Sequence, residues 1–303
     1  MNHQVRMRKK NKFGRSESRT AYLMLLPSFL GVVIFLILPL LFVLYLSFTQ
    51  WNFAKGFQGI EFNGIENYVR MLTDDRVKTS LANNLIYLLN VPITIVLAIF
   101  LGAALNKYVF FKKGVRVLYY LPFISSMVAV SMVFRNLFSE YGPVNEFLMN
   151  VLHISDPPKW FLSSAWVMPT IILIQVWHDL GNSTMILIAG MQGISKDLYE
   201  AAEVDGASGW QRLTKITIPL LTPYIFFLAI IGIMNSFKVY DVIKVLTNGG
   251  PGQSSNVLVY AVYHYGFKMY DMGYASAISV LVFAIILIVT AVQFAGQKKW
   301  VNY

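Results

Sequence analysis

The sequence contains no cysteine among its 303 residues, which excludes a disulfide framework, a reactive thiolate and a cysteine-ligated metal site. Charged residues are also scarce. They make up 13% of the chain, whereas soluble domains carry about 25%. Hydrophobic residues make up 56%. This shortage of charge extends over the whole length, so it favours a chain whose solvent is lipid.

Catalytic and nucleotide-binding patterns are missing as well. No Gly-Lys pair occurs, which excludes the phosphate-binding loop of nucleotide hydrolases. The four histidines are scattered, and no His-x-x-x-His or His-Glu pair offers metal-ligand spacing. No Gly-x-Ser-x-Gly motif marks a serine nucleophile. We therefore expect no catalytic centre, no bound metal and no cofactor on this chain.

Long stretches without charge occur in several places, and a membrane-crossing helix needs about 20 apolar residues. The sequence predicts an all-α integral membrane protein with six transmembrane helices, placed near residues 22–48, 84–105, 117–137, 166–190, 217–238 and 274–296. Residues 257–267 are apolar too, but they number only 11 and follow a glycine-rich turn. They predict a short interfacial or re-entrant helix rather than a seventh span.

The distribution of Lys and Arg predicts the orientation in the membrane. Sixteen of the 25 basic residues lie in the N-terminal tail, in the segments 106–116 and 191–216, and in the C-terminal tail. Short segments rich in Lys and Arg stay in the cytoplasm, so both termini are predicted to be cytoplasmic. Topology and contact with lipid headgroups account for the net charge of +10. Nucleic acid is not an expected partner.

Residues 195–219 form an unusually polar connection between the fourth and fifth predicted spans. Ser195 is a candidate N-cap, and acidic residues follow it in the first turns of a helix. Gly206 permits a left-handed turn. Apolar residues from Trp210 to Ile216 are spaced for a second short helix, and Pro219 can begin the next span. These residues allow two interpretations, a docking plug for another protein or an amphipathic linker.

The fourth predicted span carries a polar stripe with one charge, Asp179. Gln175, His178 and Asn182 lie on adjacent turns of the same helix. A carboxylate inside the membrane is costly unless it is paired, so it is a candidate functional group. Two roles stay open for Asp179, contact with a polar solute or an ion pair with Lys238 of the fifth span. Further polar groups in or just beyond that span are Asn235, Ser236 and Tyr240.

The segment EAAEVDGASGWQRLTKITIPLLTP, residues 200–223, resembles the EAA loop of ABC importer permeases. The positions that match the family pattern are Glu200, Ala201, Ala202, Asp205, Gly206, Ala207, Ile218, Pro219 and Pro223. Leu213 departs from it, since an aromatic residue is often found there. The motif LTNGGP (246–251) and the apolar segment 25–48 resemble the oligosaccharide-uptake branch, of the maltose/lactose type. The resemblance covers nearly the whole chain.

The resemblance implies a type I ABC importer permease fold in the bacterial cytoplasmic membrane. In this branch two different permeases pair, and the second type ends in a glycine-rich tail that this chain lacks. The chain therefore resembles the first, lactose- or glycerol-phosphate-like, type. The implied partners are a second homologous permease, an ABC ATPase dimer that binds ATP and Mg, an extracellular solute-binding protein, a carbohydrate substrate and membrane lipid. The chain itself is not expected to be an enzyme.

The implied function is that of a permease subunit forming the membrane pathway for a carbohydrate, an oligosaccharide, delivered by the binding protein. The alternative is a secondary transporter or channel for a small polar solute, which would not need the EAA pattern. The implied organisation is a basic tail (1–20), a first helix (21–49), a permease domain (80–297) that contains the coupling loop (195–219), and a short tail (298–303).

The resemblance also assigns residues to two sites. Those expected to couple to the ATPase are Glu200, Ala201, Ala202, Asp205, Gly206, Ala207 and Pro219. Those expected to contact the sugar are Gln175, His178, Asp179, Asn182, Asn235, Ser236, Val239 and Tyr240, with Gly232 at a further site position. Most of the sugar-site residues differ in type from the maltose version, so maltose itself is not the expected substrate.

Overall fold

The computed structural model describes residues 15–108, 112–298 and 301. Most of the predicted basic tail, and most of the short C-terminal tail, lie outside these residues. The described chain is mainly helical. Its α-helices are Arg15–Val32, Leu38–Leu46, Glu66–Thr73, Asp75–Tyr87, Asn90–Tyr108, Lys112–Ile124, Met127–Leu137, Pro143–Asn150, Val167–Gln192, Lys196–Val204, Gly209–Arg212, Ile218–Leu220, Thr222–Lys238, Asp241–Leu246, Leu258–Tyr263 and Met272–Gln297. Wider π-helical turns occur at Val33–Ile37, Leu213–Thr217 and His264–Lys268.

Four helical stretches in the described residues are long and apolar enough to cross a membrane unbroken: Thr20–Leu46, Asp75–Leu105, Val167–Gln192 and Met272–Gln297. Two further stretches qualify only as bent pairs of helices, so the chain has six candidate spans when each pair counts as one. The six stretches lie where the sequence predicts the transmembrane helices. The apolar segment 257–267 forms a short helix, as predicted, and Leu258, Tyr260 and Ala261 in it are buried.

The third predicted span is not a straight helix, which corrects the sequence-based expectation. Its halves, Val117–Ile124 and Met127–Leu137, meet at an angle of 105°. Pro122 lies in the last turn of the first half, and Ser126 has an extended backbone that starts the second. Proline removes a backbone donor, and Ser125 adds a side-chain hydrogen bond of 3.0 Å to the carbonyl of Leu121. Such positions are where helices kink sharply.

The fifth span also begins differently from the prediction. Gly209–Leu220 and Thr222–Phe237 meet at 66°, with the bend at Leu221. Pro219 therefore lies in the short helix before the bend, and Pro223 occupies the first turn of the straight segment. Proline is well placed there because its missing N–H has no helical acceptor. The membrane-crossing part of the fifth span thus starts about one turn later than expected.

The all-α prediction holds for every span, but a small hairpin follows the first span. Thr49–Trp51 pairs in antiparallel register with Ile60–Phe62. Trp51 is buried, and its indole N–H donates a 2.9 Å hydrogen bond to the Gly56 carbonyl. The hairpin packs on the start of the last span, where Gly273 faces the Thr49 carbonyl so closely that a Cβ atom could not fit.

Three apolar clusters hold the spans together. The external core, on the side predicted to be extracellular, joins Val167–Val176 to residues 242–246 and 257–260. A second cluster joins residues 91–99 to the far end of the fourth span and to the fifth span. A third packs the last span against the helices that precede the second span. Most of the first span is exposed, so it lies at the edge of the fold, available to lipid or a partner.

A polar cluster on the predicted external side links separate elements around Asp74. The hydroxyls of Tyr265 and Tyr274 donate hydrogen bonds of 2.6 and 2.8 Å to Asp74 Oδ2. Arg70 stacks 3.9 Å from the centre of the Tyr274 ring and forms a 2.7 Å ion pair with Asp271. Burial alone would raise the pKa of Asp74, but the hydrogen bonds from both tyrosines and from two backbone N–H groups outweigh it and lower that pKa. The carboxylate is thus held in its charged form.

Candidate functional site

The polar connection after the fourth span contains the two short helices that the sequence predicts. The first, Lys196–Val204, starts at Ser195, whose hydroxyl accepts a 3.3 Å hydrogen bond from the Asp197 N–H. Asp197 lies in the first turn, where a negative charge favours the helix dipole. One face of this helix is open to solvent, and Val204, an apolar residue, is 88% exposed.

A left-handed residue joins the two short helices. Gly206 has φ of +76°, a conformation that L side chains rarely adopt. The turn is closed by the N–H of Ala207, which donates a 2.8 Å hydrogen bond to the Ala202 carbonyl. Ser208 then caps the second helix through reciprocal hydrogen bonds with Gln211. The turn therefore has a fixed geometry.

Three contacts attach the second helix, and the π-helical turn Leu213–Thr217 that follows it, to their surroundings. Arg212 forms a 2.8 Å ion pair with Glu203 of the first helix. The hydroxyls of Tyr199 and Thr217 lie 2.9 Å apart. Trp210 stacks on Phe100 of the second span with ring centres 6.2 Å apart and planes within 8° of parallel. The two helices and the turn therefore form one unit that is anchored to the transmembrane bundle.

The residues predicted to couple to the ATPase share this unit. Glu200, Ala201, Asp205 and Gly206 are exposed, and Ala202, Ala207 and Pro219 are half-buried. Leu213, the departure from the family pattern, packs with Ile218 against the second apolar cluster. The structure thus gives the EAA segment an exposed outer face, from Glu200 to Gly206, and an inner face attached to the spans.

The polar stripe of the fourth span forms a hydrogen-bonded group around Asp179. Gln175 Nε2 donates a 2.8 Å hydrogen bond to Asp179 Oδ2, one turn along the helix. His178 Nδ1 lies 2.8 Å from the other carboxylate oxygen, Oδ1. Asn182 follows on the next turn and is half-buried. Four of the predicted sugar-site residues therefore lie together, and both oxygens of the carboxylate are engaged.

The ion pair between Asp179 and Lys238 that the sequence left open does not form. Among the described residues, the ion-pair partner of Asp179 is His178, and the Lys238 side chain is exposed at the end of the fifth span. A histidine next in sequence can reach the carboxylate without crossing to another helix. In this structure Asp179 is therefore paired within its own helix, and its contact with a solute stays a prediction.

The break in the third span approaches this polar stripe. His178 Nε2 lies 3.5 Å from the backbone carbonyl of Ser125, which sits at the break, and the Phe123 ring centre lies 5.8 Å from that of the imidazole. Gly181 allows the approach, because its Cα faces the Tyr119 carbonyl at a distance that leaves no room for a Cβ. A broken helix beside a polar stripe is a frequent arrangement at solute sites in transporters.

The predicted residues of the fifth span are divided between two environments. Ser236 is 2% exposed, and its hydroxyl accepts a 3.0 Å hydrogen bond from Asn90 while donating to the Gly232 carbonyl. Asn84 donates to the Ser236 carbonyl at 2.9 Å. A Cβ on Gly232 would meet Val91. In this conformation Ser236 and Gly232 join the second and fifth spans.

Asn235, Val239 and Tyr240 lie differently. Asn235 is exposed on the fifth span. Val239 and Tyr240 are half-buried and pack against the external core, which also contains the first half of the helix that bears Asp179. The structure therefore places these two residues beside the core that supports the polar stripe. No group of three or more potential metal ligands occurs in the described residues.

Two features of this region were not predicted from the sequence. The first is the break that brings the Ser125 carbonyl to His178. Pro122 followed by two serines was its signal in the sequence. The second is the buried amide network of Asn84 and Asn90, which fall in an apolar stretch where a polar side chain needs a partner. Both depend on pairs of helices that the sequence does not place side by side.

Comparison with known proteins agrees with this geometry. Residues 77–300 match the family model described as "Binding-protein-dependent transport system inner membrane component". "Probable ABC transporter permease protein YesP" from Bacillus subtilis (strain 168) is 32% identical over 300 residues, covering 97% of this chain and 96% of its own. "Lactose transport system permease protein LacF" from Rhizobium radiobacter is 31% identical over 283 residues, covering 92% and 94%.

A solved structure shares the fold. It is described as "Crystal structure of a bacterial ABC transporter involved in the import of the acidic polysaccharide alginate", and one of its chains superimposes with a TM-score of 0.83 at 23% identity. The match covers 95% of this chain and 98% of that chain.

The fold and the coupling segment define a helical, multi-pass membrane protein of the ABC permease class. The chain belongs to the family of binding-protein-dependent transport system inner membrane components. It is accordingly a non-catalytic permease subunit of the inner, cytoplasmic membrane, and it works with a solute-binding protein.

Proposed function

We propose that this chain is the first-type permease subunit of a carbohydrate importer. It forms the membrane pathway together with a second homologous permease. An extracellular binding protein delivers the sugar, and a separate ABC ATPase dimer binds Mg and ATP and hydrolyses the nucleotide. The lactose system of the relative from Rhizobium radiobacter supports a sugar as the substrate. The domain boundaries given by the sequence, with the permease domain at 80–297, stay predictions.

The observation that carries the proposal is the structure of the coupling loop at 195–219. A linker needs only to span the gap between two helices. This segment instead has two capped helices, a glycine-dependent turn and an exposed outer face with Glu200 and Val204 on it. Its inner face is fixed to the spans by Trp210 and Leu213. Such a unit can transmit displacement of a partner protein to the transmembrane helices as one body.

The proposed sugar contacts are Gln175, His178, Asp179 and Asn182, with Asn235, Val239 and Tyr240 beyond them. Carboxylate and amide groups bind sugar hydroxyls, and a tyrosine ring packs against the apolar face of a sugar ring. For Ser236 we propose that sugar contact requires a second conformation of the permease, since its hydroxyl is engaged with Asn90 in this one. The break in the third span is where such a change would be absorbed.

The test is purification of the tagged chain from its native host. An ABC ATPase and a second permease should be retained with it, and the assembled complex should hydrolyse ATP faster when its binding protein carries sugar. Transport by the chain alone, without an ATPase, would instead support a secondary transporter or channel.

A matched pair of glycine variants tests the role of the loop. Gly206→Val should place a β-branched residue in the left-handed region, at a cost of about 1–2 kcal/mol, and displace the second short helix. Gly209→Ala is the control, because Gly209 has an ordinary backbone and open space around it. Glu200→Lys should weaken docking by reversing a charge on the exposed face. Full sugar-stimulated ATP hydrolysis in Gly206→Val and Glu200→Lys would reduce the loop to a linker.

A further inference from the structure

Four aromatic rings form a cluster just beyond the fifth span, on the side predicted to be external. Tyr240 lies nearly parallel to Tyr260, with ring centres 6.3 Å apart, and 5.4 Å from Tyr263. Tyr263 lies 5.9 Å from both Tyr260 and Phe267. Tyr260, Tyr263 and Phe267 share one face of the helical stretch that begins at Leu258, and the fold adds Tyr240 from the end of the fifth span. We call these four residues the tyrosine cluster.

Two lysines converge on the tyrosine cluster. Lys244 Nζ lies 4.7 Å from the centre of the Tyr263 ring and 3.4 Å from its hydroxyl. Lys268 Nζ lies 3.3 Å from the Tyr260 hydroxyl and 5.9 Å from the centre of the Tyr263 ring. Both ammonium groups therefore approach the same tyrosine from different helices.

Neither lysine is paired with a carboxylate. In the part of the chain that the structure describes, the ion pairs of Lys and Arg are Arg70–Asp271, Lys159–Glu140 and Arg212–Glu203. Asp241, one turn before Lys244, is exposed and acts electrostatically on Tyr240. Aromatic faces and phenol oxygens stabilise ammonium groups in part. Two positive charges that share one aromatic surface still repel each other, and a bound anion would relieve that repulsion.

The phenols of the cluster can contribute hydrogen bonds at neutral pH. Burial, followed by the neighbouring tyrosines and Asp241, raises the pKa of Tyr240 above its ordinary value. Its hydroxyl therefore keeps the proton and can donate to an acceptor. The cluster thus offers ammonium groups, a phenol donor and aromatic faces in one place.

The cluster adjoins the proposed sugar route. Tyr240 is one of the proposed sugar contacts, and Tyr240 and Tyr263 pack against the external core that supports the helix bearing Gln175 and Asp179.

We propose that Lys244 and Lys268, together with the tyrosine cluster, bind an anionic group of the transported carbohydrate, so that this importer selects an acidic sugar. The inference rests on the proposed function, since it names the substrate class of the same pathway. The anionic group is a carboxylate, as in a uronate. Ammonium groups form charge-assisted hydrogen bonds with a carboxylate, and the tyrosine rings face the sugar ring. A neutral sugar leaves both charges without an anionic partner, which is the basis of the selection.

Anionic lipid headgroups carry the same chemistry, and Lys and Tyr are common where a protein meets the membrane surface. Tyr260 is 1% exposed and Phe267 is 62% exposed, so the cluster extends from the interior of the fold to its surface. We commit to the sugar as the ligand because Tyr240 and Tyr263 pack against the external core that supports the polar stripe. The experiment separates the two by changing the charge of the sugar and of the lipid independently.

The test uses the complete importer in liposomes with saturating amounts of its binding protein. Uptake of trigalacturonate and trimannuronate is compared with uptake of the neutral trimers galactotriose and maltotriose. We expect an acidic trimer to be taken up, and Lys244→Gln and Lys268→Gln each to slow that uptake roughly tenfold or more, the effect of losing a hydrogen bond to a charged group. Lys244→Arg and Lys268→Arg should retain most of the uptake because they keep the charge.

Lys78→Gln is the matched control. Lys78 is exposed on the same predicted side of the membrane, on the helix Asp75–Tyr87, and losing its charge should leave uptake of acidic sugar unchanged. The yield of assembled complex, measured for every variant, separates loss of folding from loss of selection.

Three results would overturn the inference. The first is normal uptake of neutral trimers with none of the acidic ones, which would leave the proposed function intact. The second is acidic uptake that is unaffected in both glutamine variants. The third is a lysine effect that follows the phosphatidylglycerol content of the liposomes and not the charge of the sugar, which would assign the lysines to lipid. Failure of every carbohydrate to drive uptake would count instead against the proposed function.

Discussion

The indole of Trp210 lies parallel to the phenyl ring of Phe100, with ring centres 6.2 Å apart. Trp210 belongs to the coupling loop and Phe100 to the second span, so this stack joins the segment proposed to meet the ATPase to a transmembrane helix. Both rings are otherwise largely exposed. Aromatic pairs of this kind contribute about 0.5–1.5 kcal/mol beyond the area that they bury.

Trp210→Ala should therefore uncouple ATP hydrolysis from sugar delivery more than it destabilises the complex. The loop would keep its turn and its ion pair between Glu203 and Arg212, but it would lose one attachment to the spans. The measurement is ATP hydrolysis with and without sugar-loaded binding protein. Trp210→Phe is the control, because it keeps an aromatic ring opposite Phe100. If sugar-loaded binding protein stimulates ATP hydrolysis equally in Trp210→Ala and in the unmodified importer, the stack of Trp210 on Phe100 does not couple the loop to the spans.

Asp179→Asn tests the polar stripe. The change keeps the shape of the side chain and removes the charge, so the hydrogen bonds from Gln175 and His178 weaken. If the carboxylate holds sugar hydroxyls, uptake should fall by the equivalent of about 0.5–3 kcal/mol, while complex assembly and basal ATP hydrolysis persist. Uptake by Asp179→Asn that matches the unmodified importer would remove Asp179 from the sugar site.

The same variant tests whether Asp179 pairs with His178 and not with Lys238. Since His178 is the partner of Asp179, adding Lys238→Gln to Asp179→Asn should not restore uptake. His178→Gln should resemble Asp179→Asn, because it removes the other half of the pair. Recovery in the Asp179→Asn, Lys238→Gln double variant would show that the two side chains interact in another conformation.

The polar cluster around Asp74 predicts sensitivity to acid. The pKa of Asp74 is lowered in the folded protein, so its contribution is complete above the ordinary carboxylate pKa and is lost as the pH falls through the lower, folded value. Asp74→Asn should cost about 1–2 kcal/mol at neutral pH, less than a fully buried charged pair because the carboxylate is partly exposed. Asparagine also caps helices well, so the change isolates the charge.

The polar cluster around Asp74 should also stabilise the fold less at alkaline pH. Burial, then the hydrogen bond to Asp74, raises the pKa of Tyr265 to about 12, so its stabilising effect is complete below the ordinary tyrosine pKa and declines above it. Thermal unfolding in detergent from acidic to alkaline pH checks both limits. The difference between the unmodified protein and Asp74→Asn should narrow at acidic pH. A difference that stays constant at every pH would mean that the charge of Asp74 does not stabilise the fold.

The orientation in the membrane is tested with single cysteines, which is simple because the chain has none of its own. Ser208 and Ser164 are both exposed, on the coupling loop and on the loop before the fourth span. Ser208→Cys should resist a membrane-impermeant thiol reagent in intact cells and react after lysis. Ser164→Cys should react in intact cells. Labelling of Ser208→Cys from outside would reverse the predicted topology.

Features that depend on neighbouring residues could be read from the sequence. Stretches without charge located the six spans, because lipid excludes charge wherever a helix crosses it. Ser195 and Gly206 placed the cap and the turn of the coupling loop, since both effects act within a few residues. Gln175 and Asp179 could be paired from their spacing of four residues.

Features that depend on which helices are neighbours in the fold could not be predicted from the sequence. Pro122 indicates that the third span can kink, but the angle of 105° between its two halves depends on how those halves pack. The partner of Asp179 was uncertain because the sequence also offers Lys238, at the end of the fifth span, as a partner for an ion pair. Ser236 is a predicted sugar contact, and the sequence did not show that Asn90 donates a hydrogen bond to its hydroxyl in this conformation.

The sequence by itself determined that this is a helical membrane protein with up to six spans and a structured loop after the fourth, because hydrophobic length and helix capping are local properties of a chain in lipid. Only the tertiary structure decided which helices and side chains are neighbours. It brought the Ser125 carbonyl to His178 and placed Lys244 and Lys268 against Tyr263. Ser125 and His178 are 53 positions apart and Lys244 and Tyr263 are 19 apart, and these contacts arise from the packing of helices whose neighbours cannot be deduced from local sequence patterns.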